Sequence, residues 1–226
     1  MSLSRLTTSP STSDQPRAAL RGERRIATVL MADVKDSTQL LERLGSELWV
    51  TMMNRVFQLA GAEIYRFGGE IDQFRGDGLV AFFGAHMTRE DDPERAVMAA
   101  LSVQEALRRY AGELKESDGI TFQTRVGVNT GEIIAAEIGD LGRHVESTAM
   151  GEAVALAARM EAAAEPDTVL VSENTYRLVR ALFDWEPLGE ASVKGIAAPV
   201  PVYRPLGRRA VLTRPRGLEG VQAPLV

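Results

Sequence analysis

The sequence contains no cysteine and very few histidines, and both shortages narrow the chemistry that it can perform. Its 226 residues include no cysteine and only two histidines, His86 and His144. Without cysteine there are no disulfides, thiolate metal sites or cysteine nucleophiles. Two histidines are too few for a multi-histidine zinc site or a histidine relay.

Long apolar runs and an excess of basic residues are also absent. No uninterrupted apolar stretch approaches the roughly 20 residues that cross a bilayer, and the first 25 residues lack the apolar core of a signal peptide. The 26 Lys and Arg residues against 31 Asp and Glu give a net charge of -5, which argues against binding to nucleic acid or anionic membranes. We expect a cytoplasmic protein with neither kind of partner.

Composition and periodicity indicate one globular domain between two tails. The chain is 45% hydrophobic and 25% charged, as globular domains are. Residues 1–22 are rich in serine and proline, and residues 207–226 mix proline, glycine and arginine, so we expect a flexible leader and a flexible tail. Residues 23–206 form the predicted domain.

Apolar periodicity within this domain predicts an α+β fold. The sequence favours a mixed, mostly antiparallel sheet with helices packed mainly on one face. The predicted elements are a strand over 25–34, a helical stretch over 37–68, a hairpin over 69–84, a helix over 91–116, a hairpin over 121–139 turning at 129–131, a helix over 151–165, a strand over 168–172, a helix over 173–182 and a final edge pair of strands over 183–206.

Two aspartates stand where predicted strands end. Asp33 closes the first strand, and Asp77 occupies the Gly-Asp-Gly turn of the first hairpin. If these strands are neighbours, the two carboxylates converge, and with a backbone carbonyl such as that of Val34 they suit Mg²⁺ or Mn²⁺ carried by a polyphosphate. The alternative is that the Asp-Gly pair only makes a turn.

A short polar segment follows Asp33. It contains Asp36, Ser37 and Thr38 and leads directly into a predicted helix, whose first backbone amides suit phosphate oxygens. The alternative is that Ser37 or Asp36 only caps that helix.

Five segments taken together resemble the catalytic domain of class III adenylyl and guanylyl cyclases of bacterial type. In chain order they are ATVLMADVKDST, FRGDGLVAFFG, RVGVNTGEII, GEAVALAARMEAAAEPDTVLVSENTY and VKGIAAPVPVY. The resemblance covers residues 24–206 and implies the palm-type, ferredoxin-like α+β fold of that family. Diguanylate-type and polymerase-palm enzymes share the hairpin but not the fourth segment.

The resemblance implies a two-metal mechanism. Two Mg²⁺ or Mn²⁺ ions on Asp33 and Asp77 would activate the ribose 3′-hydroxyl for attack on the α-phosphate and neutralise the leaving pyrophosphate. The loop from Asp36 to Thr38 would wrap the triphosphate, and Arg159 would stabilise the transition state. Lys194 matches a lysine near the terminal phosphates. Arg159 and Lys194 each have an alternative reading as solvated surface residues.

Two positions that read the base leave the substrate open. The family's base-reading lysine is Gln73 here, and the second base-reading position is Thr148. An amide and a hydroxyl can each donate or accept a hydrogen bond, so the pair does not choose between ATP, GTP, CTP and UTP. By analogy with the family, Thr148 favours ATP.

A third departure bears on activity. The family's ribose-orienting asparagine, one helical turn before the arginine, is Ala155 here, and losing such a group costs on the order of 10²–10³ in rate. We therefore weigh two hypotheses: a slow cyclase that makes cyclic AMP, and a degenerate module that binds nucleotide, dimerises and regulates a partner.

The resemblance also implies a homodimer. In the family, the metal-binding aspartates of a site come from one subunit, and the base-reading residues and arginine come from the other. Because this chain carries both sets, we expect a symmetric homodimer with two equivalent sites.

Overall fold

The computed structural model describes residues 22–140, 144–191 and 199–210, with backbone alone for residue 22 and residues 136–148. Its strands are β1 Gly22–Val34, β2 Glu70–Arg75, β3 Gly78–Phe83, β4 Thr124–Asp140, β5 His144–Met150, β6 Thr168–Ser172, β7 Phe183–Ala191 and β8 Val200–Arg208. Its helices are α1 Ser37–Leu44, α2 Ser46–Arg66, α3 Asp92–Asp118, α4 Glu152–Ala163 and α5 Glu173–Val179.

The strands form one mixed sheet. Their order is β2-β3-β1-β4-β6-β8-β7, and β5 pairs with β4 beside this path. Only the β4–β6 pair is parallel, and the other pairs are antiparallel. The predicted mixed, mostly antiparallel sheet is therefore confirmed. Strand β1 lies inside the sheet, and its residues Val29 and Leu30 have no exposed surface, which explains its nearly continuous apolar sequence.

The two faces of the sheet are covered differently. Side chains of a strand alternate between faces, so Leu30, Ala32 and Val34 of β1 pack with helices α2 and α3 on what we call the α2/α3 face. Val29 and Met31 pack on the opposite side with helix α4, on the α4 face. Asp33 continues the odd-numbered series of β1 and belongs to the α4 face.

The hairpin predicted over residues 121–139 is wrong. Strand β4 runs without interruption through residues 129–131 and pairs with β1 from Thr124 to Ala136. Asn129 is buried in the sheet, where its Nδ2 donates to the Ala153 carbonyl at 2.9 Å and its Oδ1 accepts from Ser172 Oγ at 2.6 Å. Because tertiary partners satisfy its amide, Asn129 has no need of a turn, and the hairpin partner of β4 is β5.

The predicted helical stretch over 37–68 is divided in two. Gly45 has φ +75° and ψ 163°, a backbone conformation that ends α1 before α2 begins at Ser46. Leu48 lies at helical spacing from Leu40 and Leu44, which indicates a shared apolar stripe. It follows the break and is 55% exposed.

The predicted final strand pair is confirmed as β7 and β8, with β7 at the sheet edge. Among the described residues, no helix has both the length and the apolar character needed to cross a membrane.

Candidate active site

The pairing of β1 with β3 brings Asp33 and Asp77 together. Asp33 lies opposite Gly78 in the ladder, and the amide of Val34 donates to the Asp77 carbonyl at 3.1 Å. A Cβ atom on Gly78 would lie 2.7 Å from the Ala32 carbonyl oxygen and 3.1 Å from Asp33 Oδ1. Glycine at this position therefore leaves room for the carboxylate beside the turn.

The surroundings of Asp33 favour a bound cation. The pKa of Asp33 is raised from 3.8 to about 6, first because burial disfavours its charge and second because Asp77 repels it, while Arg125 partly opposes the shift. A hard divalent cation would relieve this excess of negative charge, and carboxylate oxygens are the ligands it prefers. Within the described ranges, no three acidic or histidine side chains are grouped to hold a metal. Further ligands would come from backbone, phosphate or water oxygens.

The start of α1 has no side-chain cap from any residue that the structure describes. Asp36 occupies the N-cap with φ 53°, but its side chain makes no capping hydrogen bond and instead pairs with Lys35 Nζ at 2.8 Å. The Ser37 hydroxyl donates to the Asp77 carboxylate, and Thr38 is exposed. Neither Asp36 nor Ser37 caps the helix with its side chain, so this alternative is not what the structure shows.

Arg125 is a site residue that sequence reasoning missed. It lies opposite Asp33 in the β1–β4 ladder, with its Nη2 3.5 Å from Asp33 Oδ2 and 2.9 Å from Glu161 Oε1. Its Nη1 also donates to the Ala162 carbonyl at 3.2 Å. The RVGVNTG segment contains this arginine, and the signal that identifies it is the register of an unbroken β4 against β1.

Glu161 is the second site residue that the sequence did not reveal. Its side chain is only 13% exposed. Its pKa is raised from 4.5 to about 7, chiefly by burial, with Arg125 opposing the shift and the negative charges of Asp33 and Asp77 adding to it. The site thus contains three interacting carboxyl groups and one guanidinium.

Helix α4 is seated directly on the backbone of β4. A Cβ atom on Gly127 would lie 2.2 Å from the Glu161 amide nitrogen and 2.5 Å from the Ala157 carbonyl oxygen, distances at which something must shift. The Asn129 side chain holds the Ala153 carbonyl near the start of the same helix. Strand β4 therefore fixes both the distance of α4 from the sheet and the position of α4 along the strand.

Arg159 is on α4 but apart from the two aspartates of its own chain. It is half-buried and makes no hydrogen bond or ion pair with any residue that the structure describes. Two residues along an α-helix are about 200° apart around its axis, so Arg159 faces away from the side on which Glu161 meets Arg125. Ala155 is exposed one helical turn before it.

Gln73 lies in β2 opposite Val80, a residue of the α4 face. Its Nε2 donates to Asp72 Oδ2 at 2.8 Å, and its Oε1 accepts from Arg75 Nε at 3.1 Å. These neighbours hold the amide in one orientation. Thr148 pairs through its backbone with Ala136 in the β4–β5 ladder, but its side chain and all of Lys194 lie outside the described residues.

Comparison with known proteins identifies a matching family. The model of the adenylate and guanylate cyclase catalytic domain matches residues 22–204. Adenylate cyclase 1 of Rhizobium meliloti (strain 1021) is 31% identical over 204 residues, which are 89% of this chain and 30% of that protein. The chain spans 20% to 30% of the length of the first curated relatives it matches.

Solved structures match the same region. The adenylyl cyclase CyaB from P. aeruginosa superposes with a TM-score of 0.78 at 29% identity, covering 84% of this chain and 98% of that one. The guanylyl cyclase Cya2 superposes with a TM-score of 0.76 at 28% identity, covering 85% and 97% of the two chains. The predicted resemblance and the predicted palm-type α+β fold are both confirmed.

Proposed function

Because the chain belongs to the family of adenylate and guanylate cyclase catalytic domains, we propose that it converts ATP to cyclic AMP and pyrophosphate. The adjacency of Asp33 and Asp77 at the end of the β1–β3 ladder carries this proposal. The 31% identity to Adenylate cyclase 1 supports ATP, and the comparable match to the guanylyl cyclase Cya2 makes GTP the alternative substrate. We place the reaction in the cytoplasm, where nucleoside triphosphates are available.

In this proposal, carboxylates of the chain would bind the metal ions, and backbone amides and cationic side chains would bind the phosphates. Asp33, Asp77 and the Val34 carbonyl would hold two Mg²⁺ or Mn²⁺ ions, which supply the acidity that activates the 3′-hydroxyl and the charge that stabilises pyrophosphate. The backbone amides from Asp36 to Thr38 would donate hydrogen bonds to phosphate oxygens. Arg125 would add positive charge beside the same phosphates, and Lys194 would approach their terminal end.

A complete site would require two subunits. Arg159 faces away from the metal-binding carboxylates of its own chain and has no partner among the described residues. In a symmetric homodimer, Arg159 would instead reach the α-phosphate in the partner's site, together with Gln73 and Thr148 as base-reading groups. Each dimer would then contain two equivalent sites.

Product formation is the direct test. Purified protein would be incubated with Mn²⁺ or Mg²⁺ and each of ATP, GTP, CTP and UTP, and cyclic nucleotide and pyrophosphate would be separated by chromatography. We expect cyclic AMP, lost in Asp77→Asn and retained in the control Asp118→Asn at the exposed end of α3. A different cyclic product would reassign the base. If folded dimeric protein formed no product, the proposal that the chain is a cyclase would be contradicted.

The second candidate function is a degenerate, nucleotide-binding regulatory module. The exposed Ala155 favours it, because this position on α4 lacks the family's ribose-orienting asparagine. Ala155→Asn separates the two functions. A slow cyclase should gain up to about 10²-fold in kcat, whereas a module that has lost catalysis altogether should bind nucleotide and remain inactive after the substitution.

A further inference from the structure

One guanidinium is shared between a metal-binding carboxylate and helix α4. Arg125 Nη2 lies 2.9 Å from Glu161 Oε1 but 3.5 Å from Asp33 Oδ2. Its Nη1 is held by the Ala162 carbonyl on the same helix at 3.2 Å. Two contacts thus draw Arg125 towards α4, and the longer contact is the one to Asp33.

This arrangement matters because arginine and a metal ion compete for the same carboxylate. A guanidinium that closed fully on Asp33 would occupy its oxygens with a charge-assisted hydrogen bond. That bond would have to break before a divalent cation could bind. Glu161 is the only described carboxylate other than Asp33 that pairs with Arg125.

We propose that Glu161 is a positioning residue that holds Arg125 back from Asp33 and so keeps this carboxylate open to the metal. Glu161 does this within its own subunit, although it lies on the helix that presents Arg159 to the partner. Glu161 therefore acts in the site that contains its own subunit's Asp33, whereas Arg159 acts in the other site of the dimer. The inference rests on the proposed function for the identity of the metal site.

Metal binding without turnover tests the positioning role. Mn²⁺ would be titrated into the protein saturated with 3′-deoxy-ATP, which lacks the attacking hydroxyl. Free Mn²⁺ would be measured by electron paramagnetic resonance, with nucleotide alone as the blank. We expect Glu161→Gln to raise the Kd for Mn²⁺ roughly tenfold. This is the cost of breaking the one charge-assisted hydrogen bond that Arg125 would then make to Asp33. Glu63→Gln is the matched control, since Glu63 is 21% exposed and pairs with Arg66 at 2.6 Å on α2.

An Arg125→Gln background separates positioning from simple charge. If Glu161 acts through Arg125, adding Glu161→Gln to Arg125→Gln leaves the Kd for Mn²⁺ unchanged. An equal shift in both backgrounds would mean that Glu161 attracts the cation through space, and it would overturn the proposal. Glu161→Asp, which keeps the charge, should restore part of the affinity and replaces Glu161→Gln if that variant does not fold.

A mixed dimer locates the effect in one site. Pairing Asp33→Ala with Arg159→Ala leaves one intact site, built from the carboxylates of the Arg159→Ala chain and the arginine of the other. Glu161→Gln should raise the Mn²⁺ requirement for activity when placed in the Arg159→Ala chain, and should leave it unchanged in the Asp33→Ala chain. The reverse dependence would overturn the proposal.

The two readouts distinguish this inference from the proposed function. If wild-type protein forms no cyclic nucleotide but the Mn²⁺ titrations behave as expected, the cyclase assignment fails and the positioning role stands. If wild-type protein is active and Glu161→Gln binds Mn²⁺ as tightly as wild type, the positioning role fails and the cyclase assignment stands.

Discussion

The two faces of the sheet differ in the size of the side chains that their helices pack against it. The α2/α3 face contains large, fully buried side chains such as Phe83, Ile64 and Leu107. On the α4 face the strands also bury large side chains such as Ile133 and Phe82, but the helix meets them with small residues, Ala153 and Ala157. Large side chains bury more apolar surface and so stabilise the fold, whereas small residues let two backbones approach and fix each other's position.

The faces also differ in their buried charge. The α4 face places Asp33, Arg125 and Glu161 together in a half-buried cluster. On the α2/α3 side, Gln104 Nε2 donates to Thr124 Oγ1 at 3.1 Å, and the buried Asp92 near the start of α3 is matched by one cation, Arg95. We infer that one face mainly supplies stability and that the other positions reactive groups at a cost in desolvation.

The largest effect on stability should come from the α2/α3 face. Phe83→Ala should lower the free energy of unfolding by about 3–5 kcal/mol, because it leaves a cavity where a fully buried ring stood. Urea denaturation measures this change, with Leu178→Ala, 60% exposed, as the control. Loss of Mn²⁺ binding by Phe83→Ala under conditions where it remains folded would break the division between the faces.

Substitution of Arg159 on the α4 face should change activity and leave stability unchanged. Arg159→Ala should lower kcat by about 10²–10³-fold without lowering stability, since the arginine has no partner among the described residues. The exposed Arg109→Ala on α3 is the control. Mixed with inactive Asp33→Ala, the variant should regain about a quarter of wild-type activity, because random pairing makes half of the dimers mixed, each with one intact site. Absence of rescue from folded variants would contradict shared sites.

Gly127 tests how closely α4 must approach the sheet. Gly127→Ala should destabilise the protein by about 1–3 kcal/mol and lower kcat, since the new Cβ would displace the backbone of α4. Gly112→Ala in α3 is the matched control. No atom lies within 4 Å of its added Cβ, so this change should be neutral or stabilising by up to about 1 kcal/mol. Equal results for the two variants would mean that α4 is not seated by Gly127.

The smallest expected effect is the pH dependence of the metal-free protein. The pKa of Glu161 is 4.5 as an ordinary group and about 7 in the folded chain. Folding therefore favours its protonated form, and the stability this provides is present below pH 4.5 and is lost as the pH rises through 7. Wild type should lose about 1 kcal/mol relative to Glu161→Gln between pH 6 and pH 7, measured by urea denaturation. A constant difference would exclude this cost of ionisation.

The sequence determined the elements whose signals are local. The apolar run of β1, the Asp-Gly turn between β2 and β3, and the helical periodicity of α4 each depend on a few neighbouring residues. Together with the resemblance of five ordered segments, they were enough to predict the α+β fold and the adjacency of Asp33 and Asp77. The same local signals failed at Asn129, where a turn-like sequence continues as a buried strand.

Only the tertiary structure decided what surrounds those aspartates. Arg125 lies beside Asp33 because β4 is unbroken and pairs with β1 in one register. Glu161 joins them because α4 sits on Gly127. Both placements depend on contacts between elements far apart in the chain, and no periodicity within either element reports such contacts. The sequence alone therefore determined which strand ends meet, whereas packing across the sheet decided which charges meet there.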